Sequence, residues 1–560
     1  MPTRHEMWEK LGGTVDVLVV GGGITGAGIA RDAARRGLSV ALVEMRDLAF
    51  GTSSRSSKLV HGGLRYLEMG ELSLVFEAVS ERRILMDIAP HIVNPLGFLF
   101  PVFKTSRRSR WFINAGMWVY DGLSLFRSPK LHKNLDAAGV AHEEPSLTQE
   151  GLTGAPLYYD CSTDDARLTL ETALDAAKAG ATIATWAKVV SFTKDDNGRV
   201  KGAVVEDAFG GGLKQITART VVNATGPWTD KILAMSRPST SHLLRPTKGV
   251  HIVVDAAKLP LNNAVVCLHP KDGRLLFAIP WGDRTYIGTT DTDYTGDPAD
   301  VAASGADVRY LIDACAAYFP KNPLGPRDVI STWAGLRPLI APQESPGGVS
   351  ESAVSREHSI LVGQDGLITI AGGKLTTYRR MAAEVVDTAV KLLRLSNQLP
   401  KSVTDARTDQ EPLPGAVGWP ADDNPTALAS QVIEASGGRL AADTADYLTN
   451  RYGALAIDIA RSVAQNADLG ARLVEGRPEI LAQVDWAVHR ELAATAADIF
   501  VRRTQLYFRD HDQGLAALPA VVARMATLLD WSDERRQHET ADYNDEVARS
   551  RRWRAEYPAG

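Results

Sequence analysis

The sequence predicts an α/β chain with a parallel-sheet domain, an antiparallel-sheet domain covering it, and an all-α C-terminal domain. Three observations predict this. Near the N-terminus, VDVLVVGGGITGAGIARDAARRGLSVALVE runs strand, glycine turn, helix, strand. Residues 236–349 carry alternating patterns such as HIVVD, RLLFAIPW and TYIGTTD, which suit strands with one buried face. Residues 426–545 lack that alternation and carry Ala/Leu patterns at helical spacing.

The first element is Val15–Val20, Val-rich and interrupted only by Asp16, as a parallel strand buried on both faces requires. Gly21, Gly23 and Gly26 then make G-x-G-x-x-G. The first allows the turn, the second lets a pyrophosphate approach the backbone, and the third lets helix and strand pack closely. The helix start offers unpaired N–H groups and a positive dipole end to phosphates. Gly37 ends the helix, SVALVE forms the second strand, and Glu44 stands at its end. A carboxylate there, about 20 residues after the glycines, binds the hydroxyls of an adenosine ribose. The unit is a Rossmann-like dinucleotide site that leaves FAD and NAD open.

Three later features favour FAD. VVNATGPWTD, from Val221 to Asp230, is a strand running into Ala-Thr-Gly, the returning strand of FAD-binding domains of the glutathione-reductase type. ITIAGGKLTTYRRMAAEVVD, from Ile368 to Asp387, is a strand, a Gly-Gly turn and an amphipathic helix whose N-terminus stabilises negative charge at the N1–C2=O side of a reduced flavin. No second G-x-G-x-x-G follows, which argues against a separate NAD domain.

Composition bounds the rest. The 560 residues, 44% hydrophobic and 23% charged, suffice for more than one core. A net charge of -5 gives no reason to expect nucleic acid. Cys161, Cys267 and Cys315 are scattered without a CxxC pair, against a disulfide framework or a zinc site and for a reducing cytosol; no metal is expected. The N-terminal MPTRHEMWEKLGG has no apolar signal region, and no apolar run approaches about 18 residues. The expected location is cytoplasmic.

The segments GGGITGAGIARDAA, TSSRSSKLVHGGLRYLE, DDARL, NATGPW, KGVHIVV, IPWGDRTYIGTTD, AGLRPL, SRE and GGKLTTYR, with the helical tail DWAVHRELAATAADIFVRRTQL, resemble FAD-dependent, quinone-reducing glycerol-3-phosphate dehydrogenases of the D-amino-acid-oxidase-like flavoprotein superfamily. The resemblance runs from about Val15 to about Asp530. It implies noncovalent FAD, hydride transfer from C2 of sn-glycerol 3-phosphate to flavin, dihydroxyacetone phosphate as product, and a membrane quinone as acceptor. It also implies cofactor contacts at Gly21, Gly23, Ile24, Thr25, Gly26, Glu44, Thr52, Ser53, Ser54, Ser57, Lys58, His61, Gly62, Val189, Ala224, Thr225, Gly226, Trp228, Gly335, Gly373, Lys374, Leu375 and Thr376.

For the substrate, Arg65 and Tyr66 match phosphate contacts, and Arg356 and Lys374 match positions that bind phosphate or line the pocket. An arginine fork supplies a phosphate with two charged hydrogen bonds; the residues alone leave open a pair of Arg65 with Glu68 or Glu71. His251 is the candidate base, because neutral imidazole accepts a proton near neutrality; a hydrogen-bonded core histidine is the alternative. Arg337, in AGLRPL, is the candidate for binding the developing alkoxide.

The organisation expected is a discontinuous FAD domain at 12–76, 156–235 and 350–400, a substrate-binding cap at 77–155 and 236–349, a Pro- and Asp-rich linker at 401–425, and the helical domain at 426–545. Between Asn94 and Phe126, Lys104, Arg107, Arg108 and Arg110 lie between two apolar, aromatic segments, which suits peripheral attachment to an anionic membrane surface on its cytoplasmic face. A homodimer is compatible with the sequence, which does not decide the oligomeric state. Three other readings stay open: a glycerol-3-phosphate oxidase using oxygen, an amino-acid or amine oxidase of the same superfamily, and a non-enzymatic protein on the same fold. A yellow purified protein excludes the last.

Overall fold

The computed structural model describes residues 2–63, 70–106, 108–124, 128–237, 242–341 and 358–557. Its first sheet centres on Thr14–Val20, whose last five residues are buried. This strand pairs in parallel with Leu213–Asn223 on one side and Val40–Val43 on the other. Thr182–Ala184 and Ile368–Ala371 extend the parallel order outward. The strands Ala187–Lys194 and Val200–Asp207 add an antiparallel flap to Leu213–Asn223. The helices Ile24–Arg35, Asp165–Lys178 and Tyr378–Leu395 cover this sheet, and their inner residues join one core with Val17, Val19, Leu42 and Ile370.

The second sheet is built around Leu244–Asp255, paired antiparallel with Ser331–Ile340 from Leu244↔Ile340 to Val253↔Ser331. Arg284–Gly288, Leu275–Trp281 and Ala264–Leu268 continue it toward Val93–Leu99 and Leu152–Thr163. Leu152–Thr163 lies wholly in this sheet, so the expected boundary at 156 falls inside a strand: it is buried along most of its length and pairs antiparallel with Val93–Leu99 from Leu157 to Thr163.

The expected linker at 401–425 is docked rather than extended. Arg31 donates to the carbonyls of Thr408 and Glu411 at 3.0 and 2.6 Å, Leu413 is fully buried, and the Gly415 N–H donates to Glu171. Its prolines and aspartates stop helix and strand without preventing packing. Beyond it come helices Pro425–Ala435, Ala442–Tyr452, Ala456–Gln465, Ala482–Arg490, Leu518–Leu529 and Asp533–Ser550.

A buried ionic cluster joins these C-terminal helices to the first domain. Asp47 is fully buried just beyond Glu44. It accepts from Arg503 at 2.7 and 2.9 Å and from Arg502. Arg502 also reaches Asp498 at 2.6 Å, Arg503 donates to the Glu491 carbonyl, and Arg167 pairs with the Glu491 carboxylate. Burial alone would raise the Asp47 carboxyl, but Arg503 and Arg502 outweigh it and hold it below its ordinary value.

Of the segment considered for a membrane, Phe98 and Leu99 are core residues of the second sheet, 1% and 0% exposed. Those two residues cannot meet lipid, whereas Asn94 and Pro95 of the same strand are exposed. The later half of the segment forms the helix Arg110–Leu123, with Trp111, Phe112, Trp118 and Val119 exposed. Among the described residues, no helix is long and apolar enough to cross a membrane.

Candidate functional site

The parallel sheet and the glycine turns open onto a cavity. Gly21, Gly23, Ile24 and Thr25 line it at the start of the helix Ile24–Arg35, with Gly23 as its N-cap. Gly21 has φ +111, and a side chain on it would press on the Ala224 carbonyl. Gly26 stands behind the lining, where a side chain would run into the Gly21 carbonyl; it serves the turn–helix packing.

Glu44 lines the same cavity and is 9% exposed. Its Oε2 accepts from the Gly22 N–H at 2.6 Å and its Oε1 from the Arg46 N–H at 2.9 Å. Burial pushes its carboxyl above the ordinary value, against those two N–H donors. A buried carboxylate held at a strand end beside a glycine turn fits a ribose diol. Glu44→Ala should yield mostly flavin-free protein, measured as the ratio of visible flavin absorbance to protein; full occupancy would contradict the assignment.

The lining also includes Val189, from Ala187–Lys194, and Ala224, Thr225, Gly226 and Trp228, which follow the returning strand Leu213–Asn223. Gly373, Lys374 and Leu375 follow Ile368–Ala371. Thr52 and Ser53 come from a short 3₁₀ turn. Thr52 Oγ1 donates to the Leu336 carbonyl at 2.6 Å, and Ser53 Oγ accepts from the Ile24 N–H at 2.9 Å, so this loop is tied to both the second sheet and the phosphate-facing helix. The glycine cradle and the buried acid together fit FAD.

Other expected contacts stand outside that lining. Ser57 accepts or donates at 3.0 Å to His251 Nε2. Ser54 is buried with an unpaired hydroxyl. Lys58 is 2% exposed, and its Nζ donates to Asp165 at 2.6 Å, ringed by Trp281, Trp333 and Phe508. Its ammonium is thus committed to a buried ion pair, because a lysine sunk among aromatic rings needs a carboxylate. His61 and Thr376 hold each other through backbone–hydroxyl bonds of 3.2 and 3.3 Å. The Gly62 N–H donates to the Tyr120 hydroxyl and Asp160, both at 3.1 Å. Gly335 lies against the Arg55 backbone, too close for a side chain. Arg65, Tyr66, Arg356 and, in the basic segment, Arg107 lie outside the described residues.

His251 and Arg337 sit on facing strands of the second sheet. His251 is buried, stacks on Trp333 at 4.7 Å, and its Nδ1 has no partner. Burial first, then the cations Arg337 and Lys58, lower its pKa well below the ordinary 6.5. The imidazole is neutral throughout the neutral range. Unfolded chain takes up this proton below about pH 6.5 while folded chain does not, so stability should fall with pH there, by up to ~1.4 kcal/mol per unit for this group. Denaturant titrations from pH 7 to 5 should show a shallower fall in His251→Asn; an unchanged slope would contradict the buried neutral state.

Arg337 donates to Asp291 Oδ1 at 3.0 Å, to the Thr290 carbonyl at 3.2 Å and to Thr289 Oγ1 at 3.2 Å. Asp291 fixes this guanidinium, a role the sequence reading did not give it although it lies in the quoted TYIGTTD run. Phe50, Met45, Ser56, Lys188, Lys231, Met235 and Pro338 also line the cavity. Nothing in the sequence marks them, because they are ordinary apolar, basic or hydroxyl residues in or beside the motifs.

Comparison with known proteins agrees with this geometry. Residues 16–379 match the family model of FAD-dependent oxidoreductases, and residues 406–536 match the C-terminal domain of alpha-glycerophosphate oxidase. An aerobic glycerol-3-phosphate dehydrogenase of Staphylococcus haemolyticus is 38% identical over 94% of this chain and 93% of its own. A glycerol-3-phosphate dehydrogenase of Mycobacterium leprae is 40% identical over 97% of this chain and 90% of its own. The crystal structure of the glycerol-3-phosphate dehydrogenase from Bacillus halodurans complexed with FAD superposes with a TM-score of 0.79 at 34% identity, covering 98% of this chain and 97% of that one. A protein whose glycine cradle and buried Glu44 frame a cavity, and whose relatives match both its oxidoreductase and its helical parts, belongs to the FAD-dependent oxidoreductase family, among the glycerol-3-phosphate dehydrogenases.

Proposed function

We propose that the protein oxidises sn-glycerol 3-phosphate to dihydroxyacetone phosphate and delivers the electrons to a membrane quinone. The observation that carries the first half is the match of 94% and 97% of the chain to relatives named for that dehydrogenase. Bound FAD supplies the acceptor for the hydride leaving C2. Lys374, on the Gly-Gly turn, binds the substrate phosphate together with Arg65, Tyr66 and Arg356. Arg337, its orientation set by Asp291, stabilises the developing oxyanion at C2. His251, neutral and with a free Nδ1 lone pair or proton according to tautomer, is the group for the hydroxyl proton.

The second half rests on the exposed face of Arg110–Leu123. Trp111 is 71% exposed, Phe112 57% and Trp118 56%, and Leu72 and Phe76 on the adjoining helix are also exposed. Lys104, Arg108 and Arg110 flank these aromatics. Apolar rings entering the headgroup region with cations beside them suit peripheral attachment to an anionic bilayer. Replacing Trp111, Phe112 and Trp118 together by Ser should lower binding to anionic vesicles by at least ~tenfold and slow quinone reduction, while leaving flavin reduction by substrate unchanged. Salt should weaken the wild-type binding in part. Undiminished vesicle binding would reject this face. Fast reoxidation by dissolved oxygen with none by quinone would favour the oxidase instead.

A further inference from the structure

Three donors from three separate segments converge on one buried carboxylate oxygen. Asp160, on the strand Leu152–Thr163, is 2% exposed. Its Oδ1 accepts from the Tyr120 hydroxyl at 2.8 Å, from the Gly62 N–H at 3.1 Å and from Arg82. Tyr120 belongs to the helix Arg110–Leu123 and Arg82 to the helix Leu72–Ile88, and both side chains are buried. We propose that Asp160, oriented by Arg82 and Tyr120, is a positioning residue for the flavin reaction. It fixes the His61–Gly63 turn and, through that turn, the cavity wall at Lys374 and Leu375.

The register gives the turn its dependence on this carboxylate. Leu59 and Val60 pair antiparallel with Ser162 and Cys161. Past Val60 the chain leaves the ladder, and the Gly62 N–H takes the Asp160 carboxylate and the Tyr120 hydroxyl in place of a strand partner, at 3.1 Å each. Gly62 has no spare room, since a side chain on it would run into the Tyr120 hydroxyl and Val79. The turn is therefore seated on both helices. On its other side the His61 N–H donates to Thr376 Oγ1 at 3.2 Å, and that hydroxyl donates back to the His61 carbonyl at 3.3 Å. Thr376 is buried and directly follows Lys374 and Leu375, which line the flavin cavity. A shift of Gly62 thus reaches the cavity wall through one residue and one hydroxyl.

The chemistry of the network suits placement more than stability. A buried ion pair adds little net stability over apolar packing, whereas hydrogen bonds to an ionised acceptor are short and directional. Burial, and then Asp160, raise the Tyr120 hydroxyl well above its ordinary value, so it stays protonated and donates. Arg82 also donates to the Tyr159 carbonyl at 3.1 Å and to Ser128 Oγ at 2.8 Å, which fixes the guanidinium and with it the carboxylate. Asp160, Tyr120 and Arg82 are absent from the cavity lining, so they act through the turn.

The test compares FAD-loaded wild type, Tyr120→Phe, Asp160→Asn and Met117→Ala without oxygen. It follows the shape of the visible flavin band, its bleaching by saturating sn-glycerol 3-phosphate and its bleaching by dithionite. Tyr120→Phe removes one hydroxyl; it should displace the band and slow bleaching by substrate ~tenfold. Asp160→Asn should slow it further, and both should bleach normally with dithionite. Met117, buried on the same helix as Tyr120, makes no bond to Asp160, and Met117→Ala should match wild type in all three readings. Should Asp160→Asn fail to fold, Tyr120→Phe decides alone. A wild-type rate in Tyr120→Phe, or equal slowing in Met117→Ala, would overturn the proposal. The rates rest on the substrate proposed above. A wild type bleached by dithionite but not by glycerol 3-phosphate would reject that substrate, and the band would then decide: displaced in Tyr120→Phe it supports the positioning role, unchanged it overturns it.

Discussion

Asp47→Ala should lose ~3–5 kcal/mol of stability and most of its FAD, the largest single effect expected outside the glycine turn. Removing this carboxylate leaves Arg503 without its bidentate partner and Arg502 with Asp498 alone, all in a fully buried site. The two guanidinium groups, left with only Asp498 and Glu491 for partners, cannot reach water there without opening the contact between the C-terminal helices and the first domain. The cofactor is affected because Asp47 continues the chain from Glu44, and a side chain on Gly22 would run into the Glu44 and Leu48 side chains. Once this segment loosens, the Glu44 carboxylate loses its fixed place under the Gly22 N–H. Denaturant unfolding and the flavin-to-protein absorbance ratio measure the two losses. Asp47→Asn should retain part of the hydrogen bonding and fall between the two proteins. Wild-type stability in Asp47→Ala would mean that the cluster does not fasten the domains.

Arg337→Ala should slow substrate reduction of the flavin by about 10²–10³-fold with FAD still bound. Arg337 is held on three sides, by Asp291, the Thr290 carbonyl and the Thr289 hydroxyl, so its charge is placed before substrate arrives. Fixed positive charge is worth most where oxyanion character develops, because no reorganisation is needed at the moment of reaction. Asp291→Asn should slow the step less, through loss of orientation with the cation kept. Anaerobic stopped-flow following of the flavin band separates this step from reoxidation. An unaltered reduction rate in Arg337→Ala would assign the residue to the sheet rather than to the reaction.

The legible parts of this protein were those where backbone chemistry restricts the residue type. The glycine turn, Glu44 and the Ala-Thr-Gly return strand line the cavity because a close approach of pyrophosphate and ribose tolerates few alternatives. The buried ion pair of Lys58 left no local mark in the sequence, because its partner Asp165 lies 107 residues away. The strand Leu152–Thr163 crossed an expected boundary because strand pairing with distant segments leaves no local mark. The docking of 401–425 was hidden by its composition, since proline and aspartate look the same in a free linker and in a segment pinned by Arg31. Asp291 and Asp47 escaped for a similar reason: an aspartate shows its worth only when the arginine it holds is seen.

The most direct test of the central claim is an anaerobic titration of the purified yellow protein with sn-glycerol 3-phosphate. The account predicts that the visible flavin band bleaches and that dihydroxyacetone phosphate appears in step with the reduced cofactor. Glycerol and free amino acids should bleach it far more slowly, because they lack the phosphate that Lys374 and its neighbours bind. A flavin that dithionite reduces but glycerol 3-phosphate does not would contradict the account.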